Sequence, residues 1–166
     1  MIIRDAVDAD MARCRDLYNA LIESTTVAWT EQPQTLRQRR AWFRHQQRDR
    51  YPVLVAEDPT GVVGFAAYGS FRGSGTWPGY RYTVEHTIHV DRDRWGRGVG
   101  RSLMEALVAR AQLSEVHVMV GAVDADNLES IRFHERLGFV EVARMPEVGH
   151  KFGRWLDLVL MQRIIR

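Results

Sequence analysis

A chain of 166 residues that is 45% hydrophobic can bury one core and is too short for two independent domains. Its formal net charge is only +2, with arginines spread from Arg4 to Arg166 among aspartates and glutamates, so it lacks the concentrated basic stripe of a nucleic-acid binder. The opening MIIRDAVDADM is too charged for a signal peptide and no apolar run is long enough for a membrane span, so one cytoplasmic domain over 1–166 is expected.

IIR reads as a short first strand. Asp8 or Asp10 can cap a helix whose apolar positions Cys14, Leu17, Tyr18, Leu21 and Ile22 recur at helical spacing; Cys14, the single cysteine, therefore reads as a buried structural thiol. A second helix starts near Thr35, with Gln38 placed for a capping box, and ends before Pro52. VLVAE, the turn DPTG and VVGFAAYGS form a hairpin. GSFRGSGTWPGYR is loop, and YTVEHTIHV is the next strand. A glycine turn then leads into a helix with Val99, Leu103, Leu107 and Ala111 along one face. The strand VHVMVGAV, a helix from Asn127 to Leu137, the strand FVEVA and a last strand WLDLVLMQR complete the chain. The order βααβββαβαββ predicts an α/β fold with a mixed sheet of about seven strands and helices on both faces.

The turn WGRGVG is the most informative segment. Alternating glycines let backbone approach a ligand, and a helix starting there aims unpaired N–H groups and its positive dipole end outward, so an anion, a phosphate above all, belongs at this turn. Trp95 and Arg101 stand where a nucleotide-hydrolysing P-loop needs Gly and Lys, and G-x-G-x-G is not the dinucleotide spacing. A methyltransferase loop stays open, although Arg94 stands where an acidic residue is usual.

Strand, RWGRGVG, helix, strand and then DNLESIRFHERLGF resemble the acetyl-CoA-dependent N-acetyltransferase (GNAT) superfamily, over nearly the whole chain. YRYTVEHTIHV, GRGVGRSLMEALVARA, FHERLGF and GHKFGRWLDLVLMQ resemble its branch of phosphinothricin and methionine sulfoximine acetyltransferases. The cofactor loop matches that family's except at its first position, Trp95. The resemblance implies acetyl-CoA as co-substrate and no metal. It assigns Ile88, His89 and Val90 to backbone contacts with the pantetheine arm, Gly96, Arg97, Gly98, Val99, Gly100 and Arg101 to the pyrophosphate, and Asn127 to the cofactor's far side.

Acetyl transfer to an amine needs a base for the amine proton and benefits from a donor to the leaving thiolate. The resemblance implies that Glu85, on the strand entering the cofactor turn, is this base, acting directly or through water; the residues alone read equally as an ion pair with a neighbouring arginine. His134 occupies the position where the wider superfamily often carries a tyrosine; an imidazole titrating near neutrality there would be the acid. His86 and His89 differ by an odd step along a strand and point to opposite faces, which argues against a shared metal. Arg72 and Arg81 bracket the loop entering the Glu85 strand and are candidates for a substrate carboxylate or phosphinate, together with Glu85, His86 and Thr87. Trp29, Tyr80 and Tyr82 are candidate pocket walls. A homodimer is expected, with Lys151, Arg154 and Trp155 serving either the pocket rim or the dimer surface. The expected acceptor is a small amino-acid-like amine; a protein N-terminus, an aminoglycoside and a non-catalytic CoA sensor are the alternatives.

Overall fold

The computed structural model describes residues 1–73 and 75–165. The loop expected across GSFRGSGTWPGYR and the domain expected over 1–166 each include one residue outside the described set, Ser74 and Arg166. The chain runs β1 (Ile2–Asp5), α1 (Met11–Ile22), α2 (Leu36–Arg48), β2 (Val53–Asp58), β3 (Gly61–Ser70), β4 (Thr83–Val90), α3 (Val99–Gln112), β5 (Val118–Asp124), α4 (Leu128–Arg136), β6 (Val140–Lys151) and β7 (Arg154–Ile164), the expected order. The strands form one mixed sheet ordered β1-β2-β3-β4-β5-β7-β6. β4 and β5 run parallel while the other neighbours are antiparallel.

Both faces are covered, because strands in the sheet interior carry apolar side chains on each side. α1 and α2 close one face over Phe43, Val53, Val55, Phe65 and Ala67. α3 and α4 close the other over Leu54, Tyr68, Leu103, Leu107, Phe139 and Val159. The α2 capping box forms as expected, with Thr35 Oγ1 accepting from Gln38 N–H and Gln38 Oε1 accepting from Thr35 N–H. At α1 Asp10 makes no side-chain cap. Its carboxylate accepts from the Arg4 guanidinium and the Val7 N–H instead, and the Arg4 contact holds its pKa below the ordinary carboxylate value.

Two features position the site. The β4–β5 ladder covers only Thr83–Val118, Val84–Met119 and Glu85–Val120, after which β5 continues with β7 as far as Asp124. Beyond Glu85 the sheet is splayed, and among the described residues the β5-facing edge of His86–Val90 has no strand neighbour. The second feature is the hairpin of β6 and β7, which is longer than the expected FVEVA. β6 extends to Lys151 through register shifts at Glu141/Ala143 and Met145/Gly149. Pro146 is tolerated in the second shift because β6 is an edge strand, and Glu147 there has φ 53°.

Candidate active site

At the mouth of the splay a cleft of about 410 Å³ runs from β4 over the glycine turn to α4. Ile88, His89, Val90, Gly96, Gly98, Val99, Gly100, Arg101 and Asn127 line it; of the residues expected to hold the cofactor, only Arg97 does not. Gly96 and Gly98 have φ 72° and 83°, in the left-handed region that an L side chain enters only with strain. A Cβ on either would meet nothing within 4 Å, so these glycines serve the bend of the backbone. Gly100 differs, since a Cβ there would come into ordinary contact with Phe133 at 3.4 Å. Ser102 N–H bonds Gly98 O and opens the α3 ladder, so the amides ahead of it are the unpaired donors of the helix start. Arg101 turns its own side chain to Glu105 at 2.7 Å. Asn127 caps α4 by accepting from Ser130 N–H. Trp95, the departure in the turn, donates its indole N–H to Val90 O at 2.9 Å and joins the cleft wall.

A second cavity of about 80 Å³ lies deeper in the splay, lined by Val27, His86, Thr87, Ala122, Asp124, Ser130 and His134 among others. Glu85 and Thr87 lie two residues apart on β4 and so share a face. Glu85 walls neither cavity; its side chain stays accessible, without a hydrogen bond or ion pair among the described residues, and desolvation raises its pKa above the ordinary 4.5. Arg72 and Arg81 also lie outside both walls. Arg72 stacks over Tyr80, and Arg81 stacks over Tyr82 at 4.2 Å while donating to Pro78 O. Neither guanidinium faces a carboxylate among the described residues.

The two β4 histidines point to opposite faces, as expected. His89 packs between Tyr18 and Phe65 on the α1 side and pairs its Nε2 with Thr87 Oγ1 at 2.9 Å; burial pushes its pKa down to about 3. His86 turns to α4, where its Nε2 lies 3.2 Å from Nε2 of His134. His134 Nδ1 lies 2.7 Å from Ser130 O, so Nδ1 carries hydrogen and Nε2 offers its lone pair; His86 must then carry hydrogen on Nε2. Phe139 packs edge-on against both rings. His134, expected to titrate near neutrality, is 3% exposed, and burial lowers its pKa below the ordinary 6.5 while the bond to Ser130 O works the other way. His86 is driven to about 3 by burial, with the neighbouring imidazole adding to the effect. Both are neutral at pH 7. Gly121 on β5 makes room for them, since a Cβ there would stand 2.7 Å from His86 Nε2 and 3.1 Å from His134 Nε2.

Residues 14–139 match the Acetyltransferase (GNAT) family. The chain belongs to that family. The GNAT acetyltransferase chain is 47% identical over 161 residues to the L-methionine sulfoximine/L-methionine sulfone acetyltransferase of Pseudomonas aeruginosa, covering 96% of this chain and 92% of the relative. It is 31% identical to the phosphinothricin N-acetyltransferase of Streptomyces coelicolor, over 97% and 94% of the two chains. Its fold superposes with a TM-score of 0.94 on yncA, a putative acetyltransferase from Salmonella typhimurium with its cofactor acetyl-CoA, at 41% identity over 99% and 94% of the chains. Membership in an acyl-transferring family removes the methyltransferase reading of the glycine turn.

In this acetyltransferase the β6–β7 hairpin holds a residue whose role the sequence does not reveal. Lys151 was expected on a pocket rim or dimer surface, yet it is 1% exposed and gives its ammonium to the carbonyls of Ile22, Thr25 and Ala28. Arg154 pairs with Asp126, and Trp155 is exposed beside His150. Trp29 packs on Gly149, where a Cβ would overlap its ring. Val27, which lines both cavities, and Asp124, which accepts from Thr26 Oγ1, carry no chemical motif to mark them in the sequence.

Proposed function

We propose that the chain transfers the acetyl group of acetyl-CoA to the primary amine of a small amino-acid-like acceptor of the methionine sulfoximine, methionine sulfone or phosphinothricin type. The observation that carries this reading is the unpaired β4 edge, His86–Val90, which runs into the left-handed glycines and free amides at the start of α3. A strand edge pairs with an extended amide-bearing chain as it would with an added strand, and the helix start takes phosphates. Ile88, His89 and Val90 hold the pantetheine by backbone. Gly96 to Arg101 surround the pyrophosphate, and Asn127 flanks the far side.

Acetyl-CoA supplies an activated acetyl group when bound. Glu85 takes the proton of the acceptor amine through one water, because it stands beside the small cavity rather than in its wall. A carboxylate raised by desolvation is a stronger base than a fully solvated one. The C–N bond forms as the C–S bond breaks; Glu85 passes the amine's proton on to solvent, and His134, neutral at rest, is assigned to the sulfur's proton, taking one up from water at Nε2 in place of the bond from His86 and handing it to the departing thiolate. Thr87 and His86 bound the acceptor end. The guanidinium of Arg81, which faces no carboxylate among the described residues, and with it Arg72, meets the acceptor's carboxylate or phosphinate. This chemistry requires no metal and no nucleic-acid partner. We assign the enzyme to the cytoplasm, where Cys14 stays a reduced, buried thiol. Among the described residues no helix is long and apolar enough to cross a membrane.

A homodimer completes the reading. β6 is an edge strand with Val140, Val142, Met145 and Val148 exposed, and Trp155 beside it is 63% exposed, an apolar border suited to a second copy. Sedimentation equilibrium of wild type and Trp155→Asp tests it: wild type runs as a dimer and the variant shifts toward monomer, whereas a monomeric wild type refutes it. The function itself is tested by following CoA release and N-acetyl product by mass spectrometry, with methionine sulfoximine and its decarboxylated amine as acceptors. Preferential turnover of the amino acid is expected, reduced selectively in Arg81→Ala. Equal turnover of the two acceptors refutes the amino-acid assignment, and absence of product with every amine refutes the reading.

A further inference from the structure

Lys151 is the one lysine among 23 Lys and Arg residues, and its surroundings explain why an arginine would not serve there. An ammonium is a compact charge with three donors around one point, whereas a guanidinium is a flat fork. Three carbonyl oxygens converge on Nζ, from Ile22 at 2.7 Å, Thr25 at 2.7 Å and Ala28 at 2.8 Å. No carboxylate lies within ion-pair distance of it among the described residues. A buried ammonium is costly, and with no carboxylate in contact these carbonyl dipoles offset the cost, helped at longer range by the charge of Glu31. They belong to the end of α1 and the loop that follows, where the last carbonyls of a helix have no intrahelical partner and favour a positive charge.

The same loop is fastened at other points. Trp29 lies on Gly149, Glu31 accepts from Phe152 N–H at 3.0 Å, and Thr26 donates to Asp124 at the end of β5. Between these anchors Val27 projects into the walls of both the cofactor cleft and the small cavity in the splay. The β6–β7 hairpin is thereby tied to a wall of the site some 120 residues earlier in the chain.

We infer that Lys151 is a positioning residue for the acceptor, its ammonium holding the 23–31 loop as a preformed wall over the splay so that the acceptor does not have to order it on binding. This rests on the acceptor reading given above, and the two fail separately. Preorganisation lowers the cost of binding and leaves the chemical step alone, so the signature is a rise in acceptor KM with little change in kcat.

The test compares Lys151→Met with Glu31→Ala, a milder change at an exposed position that removes one anchor without burying anything. Amide hydrogen exchange and steady-state kinetics with methionine sulfoximine are measured on both and on wild type. In Lys151→Met, exchange of the amides of residues 23–31 accelerates and KM for the acceptor rises on the order of tenfold, with acetyl-CoA Kd rising less and kcat moving little. Glu31→Ala shows the same pattern more weakly, which keeps the test open should Lys151→Met fail to fold. Unchanged loop exchange in the folded variants overturns the fastening. Accelerated exchange with unchanged acceptor KM, or a loss confined to kcat, overturns the positioning role. Wild type that acetylates no amino acid sinks the function reading instead, and the exchange arm still decides whether Lys151 holds the loop.

Discussion

Gly121→Ala puts one methyl group into the contact between His86 and His134. The new Cβ would stand 2.7 Å from His86 Nε2 and 3.2 Å from His134 Cδ2, with Phe139 packed against both rings. The His86 ring must retreat by roughly 0.7 Å to reach ordinary contact, in a core too dense to yield freely. Overpacking of this kind costs about 1–3 kcal/mol. Weakening the bond between the two imidazoles adds about 0.5–1.5 kcal/mol. For a domain of this length the total corresponds to a fall in Tm of about 3–18 °C, read by thermal unfolding. The decisive comparison is a double-mutant cycle: with His86→Ala the imidazole is gone, and the added methyl group should cost much less, giving a coupling of about 0.5–3 kcal/mol. The same Tm loss in both backgrounds, or no loss in either, would refute the seating of the pair on Gly121.

Glu85→Gln should lower kcat by a factor of about 10² to 10⁴ with little change in acetyl-CoA affinity, and the acid limb of the pH–rate profile should disappear with it. Because folding raises the Glu85 pKa, its ionisation opposes folding once pH passes the folded value, so the same variant should melt higher than wild type at pH 7 to 8; a lower Tm there would contradict the desolvation. His86 is lowered from 6.5 to about 3, so its neutral form contributes stability that is present above 6.5 and lost as pH falls toward 3. His86→Asn should therefore show a shallower loss of Tm between pH 7 and 4, and an equally steep loss would exclude the buried neutral imidazole. Gly98→Ala forces a side chain into φ 83°, at a cost of roughly 1–2 kcal/mol, and should weaken acetyl-CoA binding about tenfold in calorimetry without unfolding the chain; unchanged affinity would separate the turn from the cofactor.

Features carried by local sequence were legible. The α2 capping box, the hairpin across DPTG, the glycine turn and the opposite facing of His86 and His89 each depend on residues a few positions apart, and the cleft gathers all but Arg97 of the residues expected around the cofactor. What escaped depends on distant partners. Lys151 meets carbonyls more than 120 positions away, and His86 meets His134 across 48, so their burial and neutrality had no local signal. Asp10 has the composition of a cap, but its carboxylate is taken by Arg4 and the Val7 N–H, close in sequence yet outside the capping pattern. The sequence pattern stops β6 short because its two register shifts break the alternation by which a strand is recognised.

A crystal structure of the enzyme with CoA and N-acetyl-methionine sulfoximine bound tests the proposed site most directly. The pyrophosphate oxygens should lie within about 3.0 Å of backbone amides between Gly98 and Arg101, with the pantetheine along Ile88–Val90 and the product's amide nitrogen one water from Glu85. A pyrophosphate held away from the glycine turn, or an amide nitrogen out of reach of Glu85 even through a water, would contradict it.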